Sequence, residues 1–363
     1  MRIPRSTVPG IVSPAIPGRT ASLLMSLLYQ FDQTQWLAPE ALFEHQARQL
    51  RVLFAHAART VPFYGERFAA AGVDPEAAVT RDTLARLPIL RRGEIAADNA
   101  VLATTELPAS HGKRHGIETS GTGGRPISLF GTEVTGVFWR AGVMREHLWH
   151  DRRLDGKLAA IRRAPPGAAM APLGLNSATW GPASGTVYPT GPAVLLNVAS
   201  ALPAQLDWLL REDPDYLISL PSNLAGLAEL CLARGVRLPR LAQVMAVGEP
   251  VTPELRAAAR EAWGVPVKDS YSCEEAGYLA IQCPDHEVLH VQSENVLLEI
   301  VDDAGRSCRP GEAGRVLVTS LHNFATPLIR YELGDIAEAG APCACGRGLP
   351  VIARVLGRRT AEG

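Results

Sequence analysis

Neither sign of charge dominates this chain: 36 basic and 37 acidic residues leave a formal net charge of −1. A protein without a global field has no long-range attraction for nucleic acid or for an anionic membrane, which leaves a small molecule as the default partner. Long apolar runs are missing too. Residues 21–29, behind Arg2, Arg5 and Arg19, have the basic-then-apolar order of a signal sequence, but no small-residue cleavage site follows them. The run falls well short of the ~20 residues that a membrane-crossing helix needs, so a packed helix and a cytoplasmic protein are expected. Cysteine is scarce as well. Six in 363 residues cannot brace so long a chain, and their clustering does not fit a secreted disulfide framework. There is no internal repeat and no low-complexity segment.

What is present is enough apolar material, 47% of the residues, for two or three packed lobes. Over residues 39–60, Phe43, Ala47, Leu50, Phe54 and Ala57 recur at alternating four- and three-residue spacing, which lines them along one helical stripe. Pro62 closes that helix, and a second is expected over 64–71 before the turn at Gly72. Residues 1–110 therefore read as a helical leading lobe.

From 111 to 276 the pattern becomes α/β. Strands are expected at 157–161, 194–198, 216–220, 244–247 and 267–271, with helices at 204–210, 222–234 and 253–263. Such alternation implies parallel pairing and right-handed crossovers. Open parallel sheets bind ligands beyond the carboxyl ends of their strands, here where loops begin at Pro221-Ser222, Gly248-Glu249-Pro250 and Tyr271-Ser272. Residues 277–356 shift to short strands, at 278–281, 288–291, 296–301, 315–320 and 328–331. Asp303-Ala304-Gly305 and Pro310-Gly311 supply turns, and the whole reads as a β-rich lobe.

Three segments have the chemistry of a nucleotide site. Thr119-Ser120-Gly121-Thr122-Gly123-Gly124-Arg125-Pro126 alternates hydroxyls with glycines. Glycines let backbone N–H groups approach an anion, hydroxyls add donors, and Arg125 offsets charge. The segment is not a P-loop, since no Gly-Lys-Ser/Thr ends it and Pro126 disfavours an immediate helix; a plain glycine-rich turn is the alternative. Asp269 to Gly277 includes Tyr271, able to lie against a base, and Glu275, able to hold Mg²⁺, or else is a solvated acidic turn. Pro327 to Asp335 ends an apolar strand in a carboxylate that could accept both ribose hydroxyls, each bond worth roughly 1.5–3 kcal/mol, or is a simple Gly-Asp turn.

In their order along the chain these motifs resemble the adenylate-forming superfamily, and within it the phenylacetate–CoA ligase group and its coenzyme F390 synthetase relatives. The resemblance is carried by Val61-Pro62-Phe63-Tyr64, residues 119–126, Gly248-Glu249-Pro250, Tyr271 to Gly277, Leu289-His290, Pro327 to Asp335 and Gly357-Arg358. It implies a large N-terminal domain made of a helical lobe, parallel βαβ layers and a β-rich lobe, ending in a hinge at 357–363. It also implies an activity: ATP-dependent conversion of a small carboxylic acid to an acyl-adenylate, with transfer to coenzyme A. A carrier-protein thiol or an amine is an alternative acceptor, and a non-catalytic nucleotide-binding homologue is a further one.

Carried over residue by residue, Ser120, Gly121, Thr122 and Gly123 hold the ATP phosphates, and Thr122, Arg125 and Glu275 are catalytic. Gly248, Glu249 and Pro250 border the adenine with Ser270, Tyr271 and Ser272; Asp335 binds the ribose and Arg358 meets the nucleotide at the hinge. Residues 173–188, with Trp180, Gly181 and Ser184, occupy the stretch that shapes the acid pocket. The chain departs from the pattern at Arg125, usually lysine, at Ser272, usually glycine, at Glu274, usually a small hydroxyl residue, and at Arg359-Thr360 in place of an acid pair. The sequence stops at Gly363, where the resembling group continues into a mobile lobe, so a fragment cut at the hinge is expected, with a natural protein that works without that lobe as the alternative. The group often forms homodimers.

Cys283, His290, Cys343 and Cys345 offer three thiolates and one imidazole, a closed tetrahedral zinc set with a structural role, with His286 as a rival nitrogen. Zinc-containing members of the resembling group carry similar residues. Cysteines packed singly in the β-rich lobe are the alternative.

Overall fold

The computed structural model describes residues 3–97, 100–118 and 127–358. The segment 119–126, with Ser120, Gly121, Thr122, Gly123 and Arg125, lies outside the described residues, as do Arg359 and Thr360. The chain divides into two compact units, Met1–Ser26 with Val143–Tyr271, and Leu27–Gly142 with Ser272–Gly363.

The unit containing residues 143–271 is built on the expected parallel strands. Leu158–Arg162 pairs in parallel with Ala193–Asn197 on one side and Tyr216–Ser219 on the other. Gln243–Val247 and then Val267–Cys273 extend the parallel set, and the short strand Leu175–Ser177 closes the opposite edge in antiparallel. Gln243–Val247 is buried over four consecutive residues, the mark of a strand covered on both faces. Helices Leu202–Glu212, Pro221–Arg234 and Pro253–Trp263 alternate with the strands, and each has a proline in its first turn, where no intrahelical N–H is needed. Two stop at a left-handed glycine, Gly235 and Gly264, which a side chain would strain. Leu206, Trp208, Leu224, Leu227, Leu255 and Trp263 join strand residues in one apolar core.

The other unit joins helices Pro39–Thr60, Pro62–Ala70, Arg81–Arg86 and Arg92–Ala97 to an antiparallel sheet. Its strand order is Val296–Val301, Ala313–Ser320, Tyr331–Ala339, Val351–Arg358, Leu289–Val291, Gly277–Gln282. A hairpin, Arg114–Glu118 with Ser128–Thr132, belongs to the same unit.

Two expectations need correcting here. The buried stripe of Pro39–Thr60 is Leu42, Gln46, Leu50, Leu53, Phe54 and Ala57, while Phe43 and Ala47 are only half-buried. The Gln46 amide donates to the carbonyls of Ser293 and Val296 at 2.9 and 3.0 Å, which turns a polar residue inward, and Phe43 lies under the Arg81 guanidinium at 4.3 Å. Residues 328–330 are not strand. Arg330 has a left-handed φ of 51° and is buried, with its guanidinium on Glu299 at 3.0 Å and on the Leu87 carbonyl at 2.7 Å, so the chain bends before Tyr331. Gly357 and Arg358 end a strand and pair opposite Ile336 and Asp335.

Candidate active site and metal centre

In the parallel unit, register sets Ser219 beside Ala246 and Val247 beside Ser270, so the loops after these strands leave the sheet along one edge. Gly248 has a φ of +82°, and a Cβ there would lie 3.2 Å from Leu220 Cδ2, so the turn after Val247 requires glycine. Its successor Glu249 accepts hydrogen bonds from the Ser222 N–H at 2.9 Å and the Ser222 hydroxyl at 3.1 Å. That pairing sets a carboxylate at the first turn of Pro221–Arg234, where the helix dipole favours it, and fastens two of the three loops together. Ser270 is buried and Tyr271 half-buried. Asp269, which the motif contained but no role was read for, has its carboxyl pushed up to about 7 by burial, against the pull of Arg256.

Of the residues read as acid pocket, Trp180 belongs to the framework of this unit: it is buried, its indole N–H donates to the Gly156 carbonyl at 2.8 Å, and the rings of His147 and Tyr216 lie 5.2 and 5.4 Å away. Gly181, with a φ of +93°, and buried Ser184 form the turn that follows, in which the Gly185 N–H donates to the Gly181 carbonyl at 2.9 Å.

In the antiparallel unit, Glu275 is buried and lies 3.7 Å from the Arg92 guanidinium. Asp335 follows Gly334, whose φ is +81°, and pairs with Arg358 at 3.1 Å; Arg358 also donates to the Leu333 carbonyl at 2.7 Å. Two residues read separately as nucleotide contacts are thus an ion pair. Burial pushes the Cys273 thiol well up, and the charges of Glu275 and Asp335 push it further. Tyr331 responds in the same way, raised to about 12 by burial and then by Glu275, with Arg92 opposing. Neither Arg92 nor Tyr331 could be found from sequence, because nothing in local spacing links them to Glu275.

A pocket of about 300 Å³ opens in the same unit, with Glu274, Glu275, Trp139, His115, Glu118 and His322 among its walls. No lysine or arginine lines it among the described residues. One wall, Arg114–Glu118, is the strand that leads directly into residues 119–126. His322 was also missed. Its Nε2 lies 2.8 Å from the Glu294 carbonyl oxygen and so carries the proton, while burial lowers the ring's pKa to about 4. The neutral ring, stacked on Phe138 at 3.7 Å, keeps Nδ1 as an acceptor.

Cys283, His290, Cys343 and Cys345 come together with all four donor atoms within 4.8 Å of one another. The hairpin bond from the Cys283 N–H to the Val288 carbonyl at 2.8 Å and the pairing of His290 with Ile281 and Val351 set the first two. The turn closed by the Gly346 N–H on the Cys343 carbonyl at 3.2 Å presents the others. Sulfur-to-sulfur spacing of Cys283 and Cys343 is 3.8 Å, and Cys345 Sγ is 3.3 Å from His290 Nε2. A tetrahedral zinc with ordinary Zn–S and Zn–N bonds has edges of about 3.8 and 3.5 Å, so the donor set fits that ion.

No protein-family model matches the chain. It is 27% identical over 348 residues to the phenylacetate-coenzyme A ligase of Thermus thermophilus, covering 92% of this chain and 73% of that protein. With the phenylacetate-coenzyme A ligase of Pseudomonas putida the identity is 25% over 313 residues, covering 85% and 69%. Among solved structures, 2-hydroxyisobutyryl-CoA ligase in complex with 2-HIB-AMP and CoA superposes with a TM-score of 0.72 at 20% identity, over 90% of this chain and 70% of that one.

Proposed function

We propose that this chain, similar to phenylacetate–CoA ligases over most of its length and sharing the fold of an adenylate-forming CoA ligase, activates a carboxylic acid with ATP. An oxygen of the acid attacks the α-phosphorus, pyrophosphate leaves, and the acyl group of the resulting acyl-adenylate passes to the thiol of coenzyme A with release of AMP. The observation that supports this reading is that two acids in motif positions each stand against an arginine, Glu275 with Arg92 at 3.7 Å and Asp335 with Arg358 at 3.1 Å.

In this reading Ser120, Gly121, Thr122, Gly123 and Arg125 cradle the phosphates, and the Asp335–Arg358 pair holds the ribose at the hinge. Gly248, Glu249, Pro250, Ser270, Tyr271 and Ser272 border the adenine. Glu275 would hold Mg²⁺, which supplies charge neutralisation on the phosphate oxygens when bound. Gly181 and Ser184 shape the acid pocket on the framework that Trp180 secures. Positioning and charge neutralisation do most of the work, since no covalent intermediate on the protein is required. Zinc at Cys283, His290, Cys343 and Cys345 is structural, because a closed four-ligand shell leaves no position for a reacting group. No helix of the described residues is long and apolar enough to cross a membrane; a cytoplasmic location is part of the proposal.

Acid-dependent exchange of labelled pyrophosphate into ATP, across a panel of aromatic and aliphatic acids, tests the proposal. At least one acid should raise exchange well above the acid-free rate. Tight ATP binding with no exchange for any acid would favour a nucleotide-binding protein without this chemistry.

A further inference from the structure

The zinc reading leaves a donor over. His286 Nδ1 lies 3.6 Å from Cys283 Sγ and 3.4 Å from Cys343 Sγ, and those two sulfurs are 3.8 Å apart. The three distances are those of one face of a zinc tetrahedron, whose edges run to about 3.5 Å for sulfur–nitrogen and 3.8 Å for sulfur–sulfur. His286 thus meets two of the thiols on the same terms as His290 meets Cys345, at 3.3 Å.

Five donors cannot all bind a four-coordinate ion. Three thiolates are the stronger ligands for zinc, so the surplus falls on nitrogen. The two imidazoles are held very differently: His290 is fully buried and sits in a strand paired on both sides, whereas His286 is exposed on the turn of the same hairpin.

We propose that His286 and His290 are alternative nitrogen ligands to a three-cysteine core, so that a bound zinc can change its nitrogen partner without leaving the protein. The inference rests on the reading of the cluster as a zinc centre. With His290 on the metal, His286 stands beside the sulfurs of Cys283 and Cys343 on the solvent side, where an N–H donor relieves the net negative charge of a shell with three thiolates. With His286 on the metal, the ion moves toward the turn and toward solvent. A competing chelator therefore meets a centre whose outer face is guarded by one side chain.

The full-length chain supplies the test, by zinc content, by the spectrum of its cobalt(II) form and by the rate of zinc release to a chelator. Wild type should hold one zinc per chain. His286→Ala, a surface change that leaves the fold alone, should still hold zinc but release it at least ten-fold faster. His290→Ala should keep a three-sulfur, one-nitrogen cobalt spectrum, and only the double variant should lose it. A release rate unchanged in His286→Ala, or a His290→Ala protein as metal-poor as the double variant, overturns the proposal. Wild type that takes up no zinc when supplied with it removes the zinc reading itself, an outcome distinct from the other two.

Discussion

The two units hold themselves together by different means. The parallel unit hides its strands under helices, and Leu206, Trp208, Leu224, Leu227 and Val244 make an apolar interior, with one buried charged group, Arg152 on Glu146 at 2.9 Å and Gln243 at 2.6 Å, outside that cluster. The antiparallel unit leans on particular partners: Gln46 on two carbonyls, Arg330 on Glu299 and Leu87, and the clustered side chains of Cys283, His290, Cys343 and Cys345. Area-based stability degrades in proportion to what is removed, while a buried polar group that loses its partner forfeits its whole desolvation penalty. The contrast follows the proposed function. A unit that must bring carboxylates and guanidiniums together in a partly buried place needs fixed partners, whereas one that contributes loops at a sheet edge needs only a firm sheet.

Stripping zinc from the proposed centre should expose the contrast most. Structural zinc is worth on the order of 10 kcal/mol, so chelation should release hydrogen-exchange protection over Gly277–Gln282, Leu289–Val291 and Val351–Arg358. Tyr216–Ser219 and Gln243–Val247 should keep theirs. Simultaneous loss in both units would break the comparison.

A smaller effect separates the two kinds of core. Arg330→Met leaves Glu299 without its buried partner and should cost about 3–5 kcal/mol, although it removes little apolar area. Leu227→Ala should cost a similar 2–5 kcal/mol through a cavity alone. Denaturant titration of both distinguishes the mechanisms through a second change: Glu299→Leu added to Arg330→Met should recover stability, while no polar change should rescue Leu227→Ala.

The third test is pH, where the units should move in opposite directions. The folded value for His322, about 4, lies below the ordinary 6.5, so the unfolded chain takes up the proton first. That stabilisation is complete above about 6.5 and is lost as pH falls toward 4, by on the order of 3 kcal/mol. Asp269 is held at about 7 against an ordinary 3.8, so the unfolded chain gives up the proton first and its unit weakens as pH rises from 4 to 7, by a similar amount. Hydrogen exchange resolved by unit between pH 4 and 7 should show opposing slopes, and parallel slopes would contradict the assignment.

The same contrast governs how much the sequence disclosed. Pro253–Trp263 was legible to the residue, because Thr252 caps its start by accepting from the Leu255 N–H at 3.3 Å, Pro253 opens its first turn and Gly264 ends it. The parallel strands were legible too, as runs buried on both faces. In the antiparallel unit the periodicity misled, since Gln46 turns inward for bonds to residues far along the chain, and Arg330 bends what looked like strand. Glu275 and Asp335 were legible as acids in motif positions, and the four metal donors as a set. Arg92 and Tyr331 beside Glu275, and His322 on the Glu294 carbonyl, were not: their roles are fixed by tertiary contact, which leaves no local pattern.

In the proposed reaction a carboxylate oxygen of the acid attacks the α-phosphorus of ATP. Supplying an accepted acid labelled with ¹⁸O in its carboxylate, together with ATP and coenzyme A, reads that bond directly by mass spectrometry of the nucleotide product. One ¹⁸O in AMP is the result expected; unlabelled AMP, or ADP with label in inorganic phosphate, would contradict it.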